Sequence, residues 1–193
     1  MYSFVRREKE SMHANIENFI KRGDWLEARR LVAAALDKTP DSHWLITRLA
    51  LTYYEEREYE RSLVLELRAR ELAPHCPLVL WDLAGTFQML NRFPEAVVIY
   101  RRLLRRGVKA VAFGPCGEGV AWARGLLADC WYRLAQCHQA NGRRLQALRC
   151  YQRHLASRGP GCRSIYRLED VRHEMAIAAA GNPTQSSALG RVN

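Results

Sequence analysis

Small residues, aromatics and prolines recur along this sequence at one interval. Ala28, Ser62 and Ala96 stand 34 residues apart, as do Phe19, Tyr53 and Phe87, and as do Pro40 and Pro74. A period of this length holds a helix, a turn and a second helix. Such a unit cannot bury its apolar face alone and must stack on its neighbours.

The apolar residues inside each period recur at helical spacing. Ile46, Leu49, Ala50 and Tyr53 lie at i, i+3, i+4 and i+7, and Leu80, Leu83, Ala84 and Phe87 repeat the pattern, so each set shares one helical face. A first helix is predicted from about Phe4 to Arg22, with Ile16, Phe19 and Ile20 inward and Gly23 as its stop. Asp24 then reads as an N-cap with Glu27 as its reciprocal partner, opening a second helix to about Lys38 that buries Ala28, Leu31, Val32 and Ala35. Asp41 and Ser42 compete for the next cap. The fourth helix, about Tyr59 to Leu72, departs from the pattern: Ser62 replaces the usual alanine and Glu66 a large aromatic. A fifth helix is predicted over about 78–90. Pro94 suits the first turn of the sixth, where its missing N–H costs nothing, and Gly107 follows that helix's end near Arg106.

There the period breaks. Trp131, Leu134, Ala135, Gly142, Ala147 and Tyr151 form a fourth unit, but Ala147 lies 51 residues after Ala96, so an insertion precedes it. The stretch 107–117 reads as a loop and 118–141 as one long helix. A last helix, about Tyr166 to Ala180 with Leu168, Val171 and Met175 apolar, suits a cap on the open end of the stack, and 181–193 reads as a disordered tail.

These residues resemble the tetratricopeptide repeat family over roughly residues 9–160, with units at about 9–42, 43–76, 77–107 and 128–160, an insertion at 107–127 and a capping helix at 166–180 within a domain spanning 1–180. The resemblance implies an all-α fold, a right-handed α-solenoid of about four helix pairs. It also implies a concave groove lined by the first helix of each pair, where partner peptides or helices bind. Carried across, the groove positions are His13, Glu17 and Ile20 in unit one, and Trp44, Thr47, Leu51 and Tyr54 in unit two. Unit three supplies Leu78, Trp81, Gly85 and Gln88, and unit four Asp129, Tyr132, Gln136 and Gln139. Chaperone adaptors of the family grip a terminal carboxylate with lysine and asparagine at such sites, and this sequence lacks that clamp. What remains is an aromatic groove. Trp44, Tyr54, Trp81 and Tyr132 would anchor a partner, each burying a large area with few torsions to freeze, and Arg48 and Arg133 would pair with its charges.

Composition bears on the alternatives. A hydrophobic content of 48% is globular, and no apolar run reaches the roughly 18 residues that a membrane span requires. The opening MYSFVRREKESMH carries charges and no apolar block, so a cytoplasmic protein is expected, with its six cysteines as thiols. The net charge of +10 favours acidic partners without identifying one. Arg68, Arg102 and Arg153 occupy equivalent places on second helices and, with Arg101, Arg105, Arg106 and Arg149, would form an outer ridge able to bind nucleic-acid phosphates or simply a solvated face. Cys137, His138, Cys150 and His154 are plausible zinc ligands if they converge, but no C-x2-C pair exists and core packing is the expected role. Cys116 lies in a glycine-rich loop that lacks the lysine and hydroxyl of a phosphate loop. No nucleophile–base or paired-carboxylate arrangement stands out. The sequence therefore reads as a non-enzymatic scaffold or adaptor without a cofactor. Nucleic-acid association through the ridge is the alternative, and self-association remains open.

Overall fold

The computed structural model describes residues 2–180, with side chains from residue 11 onward. Among them the chain forms nine α-helices and no strand: α1 Tyr2–Arg22, α2 Trp25–Leu36, α3 His43–Glu55, α4 Tyr59–Leu72, α5 Pro77–Met89, α6 Phe93–Phe113, α7 Val120–Ala140, α8 Arg144–Ala156 and α9 Leu168–Ala180. The fold class is an α-solenoid built from tetratricopeptide-like helix pairs. Two compact units divide at Arg92 and Phe93, so α1–α5 form one and α6–α9 the other. The tail expected after residue 180 lies outside the described residues.

Each helix pair closes through the same turn. Gly23, Arg57, Asn91 and Gly142 all take a left-handed conformation, at φ 76°, 64°, 58° and 68°. The following amide then reaches back five residues: Asp24 N–H to the Phe19 carbonyl, Glu58 to Tyr53, Arg92 to Phe87 and Arg143 to His138, at 2.8–3.0 Å. These bonds satisfy carbonyls that the ending helix would otherwise orphan. The positions keep the interval of 34, 34 and 51 residues seen in the sequence. Glycine marks only two of them.

The turn also decides the caps. Asp24 occupies the N-cap of α2, but its backbone (φ −81°, ψ 63°) is not extended and its side chain makes no capping bond, contrary to the expected reciprocal cap. Glu58 and Arg143 repeat that backbone, again without a side-chain cap. Ser42, extended at φ −76° and ψ 97°, takes the α3 cap over Asp41, with Oγ accepting from the Leu45 amide at 3.5 Å.

The small residues after the turns are fully buried: Ala28, Ser62, Ala96 and Ala147 each show 0% exposure. One turn further along, Val32, Tyr100 and Tyr151 fill the cores beside them. In the first unit, Ile16, Val32, Ala35 and Leu45 form one cluster and Ile46, Ala69, Cys76 and Val79 the next.

In the insertion, Gly107 interrupts α6 (φ 71°, ψ 170°), yet 108–113 is helical rather than loop. The run VKAVAF is helix-compatible, and turning it inward buries Val111 and Ala112. The loop proper is therefore 114–119. Gly117 lies against the backbone of Ala112, where any β-carbon would collide with the carbonyl. At the far end, α9 begins at Leu168 rather than Tyr166 and buries Val171 and Ala178.

Arg57 is the costly member of the turn series, since a β-carbon in the left-handed region costs about 1–2 kcal/mol. Arg57→Gly removes that strain but loosens the unfolded chain. A net stabilisation of about 0.5–1 kcal/mol is expected, raising the thermal midpoint by about 2 °C in a calorimetric scan.

Candidate partner-binding surfaces

In the first unit, α1, α3 and α5 are the first helices of their pairs and carry the predicted surface. The Trp44 ring stacks on His13 at 3.8 Å between centroids, and the Arg48 guanidinium lies 5.7 Å from the Trp44 ring centre. Arg48 also pairs with Glu17 at 3.0 Å, tying α3 to α1. Trp44, Leu51, Tyr54, Leu78, Trp81 and Gln88 are all partly exposed. Tyr54 meets Tyr59 edge to face at 5.4 Å, and Leu78 packs against the cluster around Ile46. Thr47 differs from expectation. It is buried, with its hydroxyl donating to the His43 carbonyl at 2.7 Å, because its short side chain returns to its own helix rather than reaching outward.

Behind this surface lies a polar group that the sequence marked without explaining. Glu66 is 2% exposed and accepts from the Thr86 hydroxyl at 2.9 Å. The Ser62 hydroxyl has one proton and two oxygens in reach, the Ala50 carbonyl at 3.0 Å and Glu66 Oε1 at 3.3 Å. Burial and the nearby Asp82 carboxylate raise the Glu66 carboxyl to about 8, although the two hydroxyls oppose the shift. It is therefore mostly protonated at neutral pH. Burial also raises Asp82, to about 6, against the attraction of Arg48. Asp82 completes a line of polar groups from Glu17 through Arg48 to Glu66. The sequence offered no sign of Asp82's part, because a lone aspartate on a helix has no pattern.

In the second unit, the inner side of α7 is occupied by the chain's own connection between α8 and α9. The Arg163 amide donates to the Ala121 carbonyl at 3.3 Å, and the Ile165 amide to Asp129 Oδ2 at 3.0 Å. The Ser164 hydroxyl donates to the other Asp129 oxygen, and Arg158 donates to the Tyr166 carbonyl at 2.6 Å. The strap approaches so closely that a β-carbon at Gly125 would strike the Arg163 backbone. Tyr166 stacks on Tyr132 at 4.0 Å between centroids.

Tyr132 is consequently buried at 6% exposure, not open as the groove reading required. Gln136 donates to the Tyr132 hydroxyl at 3.2 Å, and Arg133 lies 5.6 Å from the Tyr166 ring centre. Tyr132, Arg133 and Gln136 thus all engage their own chain. Ser164 and Tyr166, which cover them, were invisible to repeat analysis because they fall between periodic elements.

The four candidate zinc ligands Cys137, His138, Cys150 and His154 are all buried. His154 is buried, and its Nδ1 lies 2.8 Å from the Ala128 carbonyl, so that nitrogen carries the proton and donates. Burial pushes the Cys137 thiol up to about 12. Cys116 is exposed in the loop, at φ 57°. On the outer ridge, Arg68 is engaged locally, donating to the Pro40 carbonyl at 2.9 Å and lying 4.0 Å from Asp41. No helix among the described residues is long and apolar enough to cross a membrane.

Comparison with solved structures gives the same class of fold. A crystal structure of MamA superposes with a TM-score of 0.62 at 16% identity, covering 86% of this chain and 83% of that one. MamA 41-end from Desulfovibrio magneticus RS-1 gives a TM-score of 0.58 at 12% identity, covering 77% and 75%. A tetratricopeptide repeat protein from Parabacteroides merdae gives 0.56 at 15% identity, covering 79% of this chain but 55% of that chain. No protein-family model matches the sequence, and no curated protein is similar to it. The chain has the fold of tetratricopeptide-repeat proteins.

Two outcomes follow from these contacts. An ordinary glutamate titrates near 4.5 and folded Glu66 near 8, so between those values the folded state holds more protons than the unfolded one. Stability should fall as pH rises through that window, by up to a factor of ten in the folding constant per unit, and level off above it. Urea titrations of Glu66→Gln should lose most of the decline above pH 6, where Asp82 no longer contributes. Asp129→Ala should free the strap: loss of protection at the Ile165 amide in hydrogen exchange is expected, with destabilisation of about 2 kcal/mol.

Proposed function

We propose that this protein is a non-enzymatic cytoplasmic adaptor that binds an extended peptide or a helix of a partner protein. The binding surface is the inner face of α1, α3 and α5, with Trp44 and Trp81 as anchors and Leu51, Tyr54, Leu78 and Gln88 around them. Arg48 pairs with an acidic group of the partner. Tyr132, Arg133 and Gln136 become accessible to a partner only if the strap over α7 gives way.

The observation that supports the reading is the state of Trp44. Its ring stacks on His13, lies near the Arg48 guanidinium and remains partly exposed. A pre-oriented aromatic binds at low entropic cost, because few torsions remain to be frozen on docking. Arg48 is itself fixed by Glu17, which gives the surface a charged group of defined position.

The test is selection of peptides from a random library on nuclease-treated protein, followed by titration of the winners. Trp44→Ala and Trp81→Ala should each weaken binding about tenfold or more, corresponding to about 1.4 kcal/mol, while helical circular dichroism stays unchanged. Undiminished affinity in the folded variants would remove the inner face from consideration. A mass that rises with concentration in light scattering, competed by the peptides, would make a second copy of the chain the occupant.

A further inference from the structure

The second unit carries another concavity, formed by different residues from those under the strap. Helices α6 and α8 both pack on α7, and a cleft of about 600 Å³ lies among the three. Four arginines line it, Arg101 and Arg105 from α6 and Arg149 and Arg153 from α8, and no acidic side chain does. Its walls between these charges are apolar, contributed by Leu104, Trp131, Leu134 and Cys150. The α7 contributors Trp131, Leu134 and His138 lie about half a helical turn around from Asp129 and Tyr132, so the cleft and the strap use opposite faces of one helix.

Each arginine is exposed, so their charges are solvated and available. Arg153 lies over the Trp131 ring at 4.6 Å, which fixes an aromatic plane beside a cation. His138 is 3% exposed in the cleft lining, and its Nδ1 has no hydrogen-bond partner. Burial, with Arg101 and Arg143 adding to it, lowers the His138 pKa, as expected beside concentrated positive charge.

We infer that this cleft docks an acidic, amphipathic segment of a partner protein, whose apolar side chains enter against Trp131 and Leu134 while its carboxylates pair with the flanking arginines. Charge complementarity selects the sign of the partner, since four cations without a carboxylate repel a basic segment and attract an acidic one. The apolar walls select a peptide over a phosphate backbone. A nucleic-acid strand would satisfy the arginines but leave the aliphatic walls against water. The site goes beyond the inner-face reading, because it shares no residue with Trp44, Trp81 or their neighbours.

The experiment uses the full chain and four fluorescein-labelled probes in an anisotropy titration. The first is a short helix-forming peptide with leucine and tryptophan on one side and glutamate on the other. The second replaces each glutamate by glutamine, the third replaces each leucine and tryptophan by serine, and the fourth is a single-stranded oligonucleotide. The first peptide should bind best. Arg101→Glu with Arg149→Glu should weaken it at least tenfold without changing helical circular dichroism, and Trp81→Ala should leave it unchanged. Equal binding of the glutamine or serine peptide, tighter binding of the oligonucleotide, an unaffected charge-reversal variant or no binding at all would each overturn the assignment. Loss of binding in Trp81→Ala but not in the charge-reversal variant would return the peptide to the inner face.

Discussion

Helix pairing in this protein depends on close approach at the start of each second helix. Ala28, Ser62 and Ala147 have no exposed surface, and side chains of that size let the paired backbones of α1 and α2, α3 and α4, and α7 and α8 come together. The left-handed residue before each second helix sets the angle at which the chain returns, and the amide after it closes the turn on the preceding helix. Small residue and turn recur with the same spacing because each is useless without the other. A large side chain at the first would hold the pair apart, and a right-handed residue at the second would continue the helix.

Glu66 shows what happens when one core position departs from this scheme. Val32, Tyr100 and Tyr151 fill the corresponding positions with apolar or aromatic volume, whereas Glu66 brings a carboxyl into a dry site. The cost of burying charge is avoided by holding the proton; Ser62 and Thr86 both meet Oε1, while Oε2 has no hydrogen-bond partner. Ser62 in place of alanine is then no accident of size. It supplies a hydroxyl where the carboxyl needs one, at the expense of making this pair sensitive to pH.

The second unit uses α7 on both sides. One side accepts the connection to α9 through Asp129, Gly125 and the Tyr132 ring, and the other contributes Trp131, Leu134 and His138 to an arginine-rimmed cleft. The connecting segment is held there by backbone amides, an aspartate and an aromatic stack. It also explains why family correspondence misjudged this unit. Correspondence assigns Tyr132 to a face, but it carries no information about what lies on top of that face.

The sequence alone determined the repeat and its helix pairs, with the longer interval before Ala147, because these follow from periodic spacing and side-chain size. It also pointed to Ser62 and Glu66 as departures, since a broken period is visible as a break. Tertiary structure decided what periodicity cannot encode. Arg57 and Asn91 take left-handed turns because the packed helices on either side require them, although neither residue advertises it as glycine does. The stretch 108–113 winds into helix because Val111 and Ala112 find a core to enter. Tyr132 is hidden because residues 163–166, aperiodic and distant in sequence, find hydrogen-bond partners along α7. Local pattern sets which face a residue occupies; contacts between distant segments set whether that face remains open.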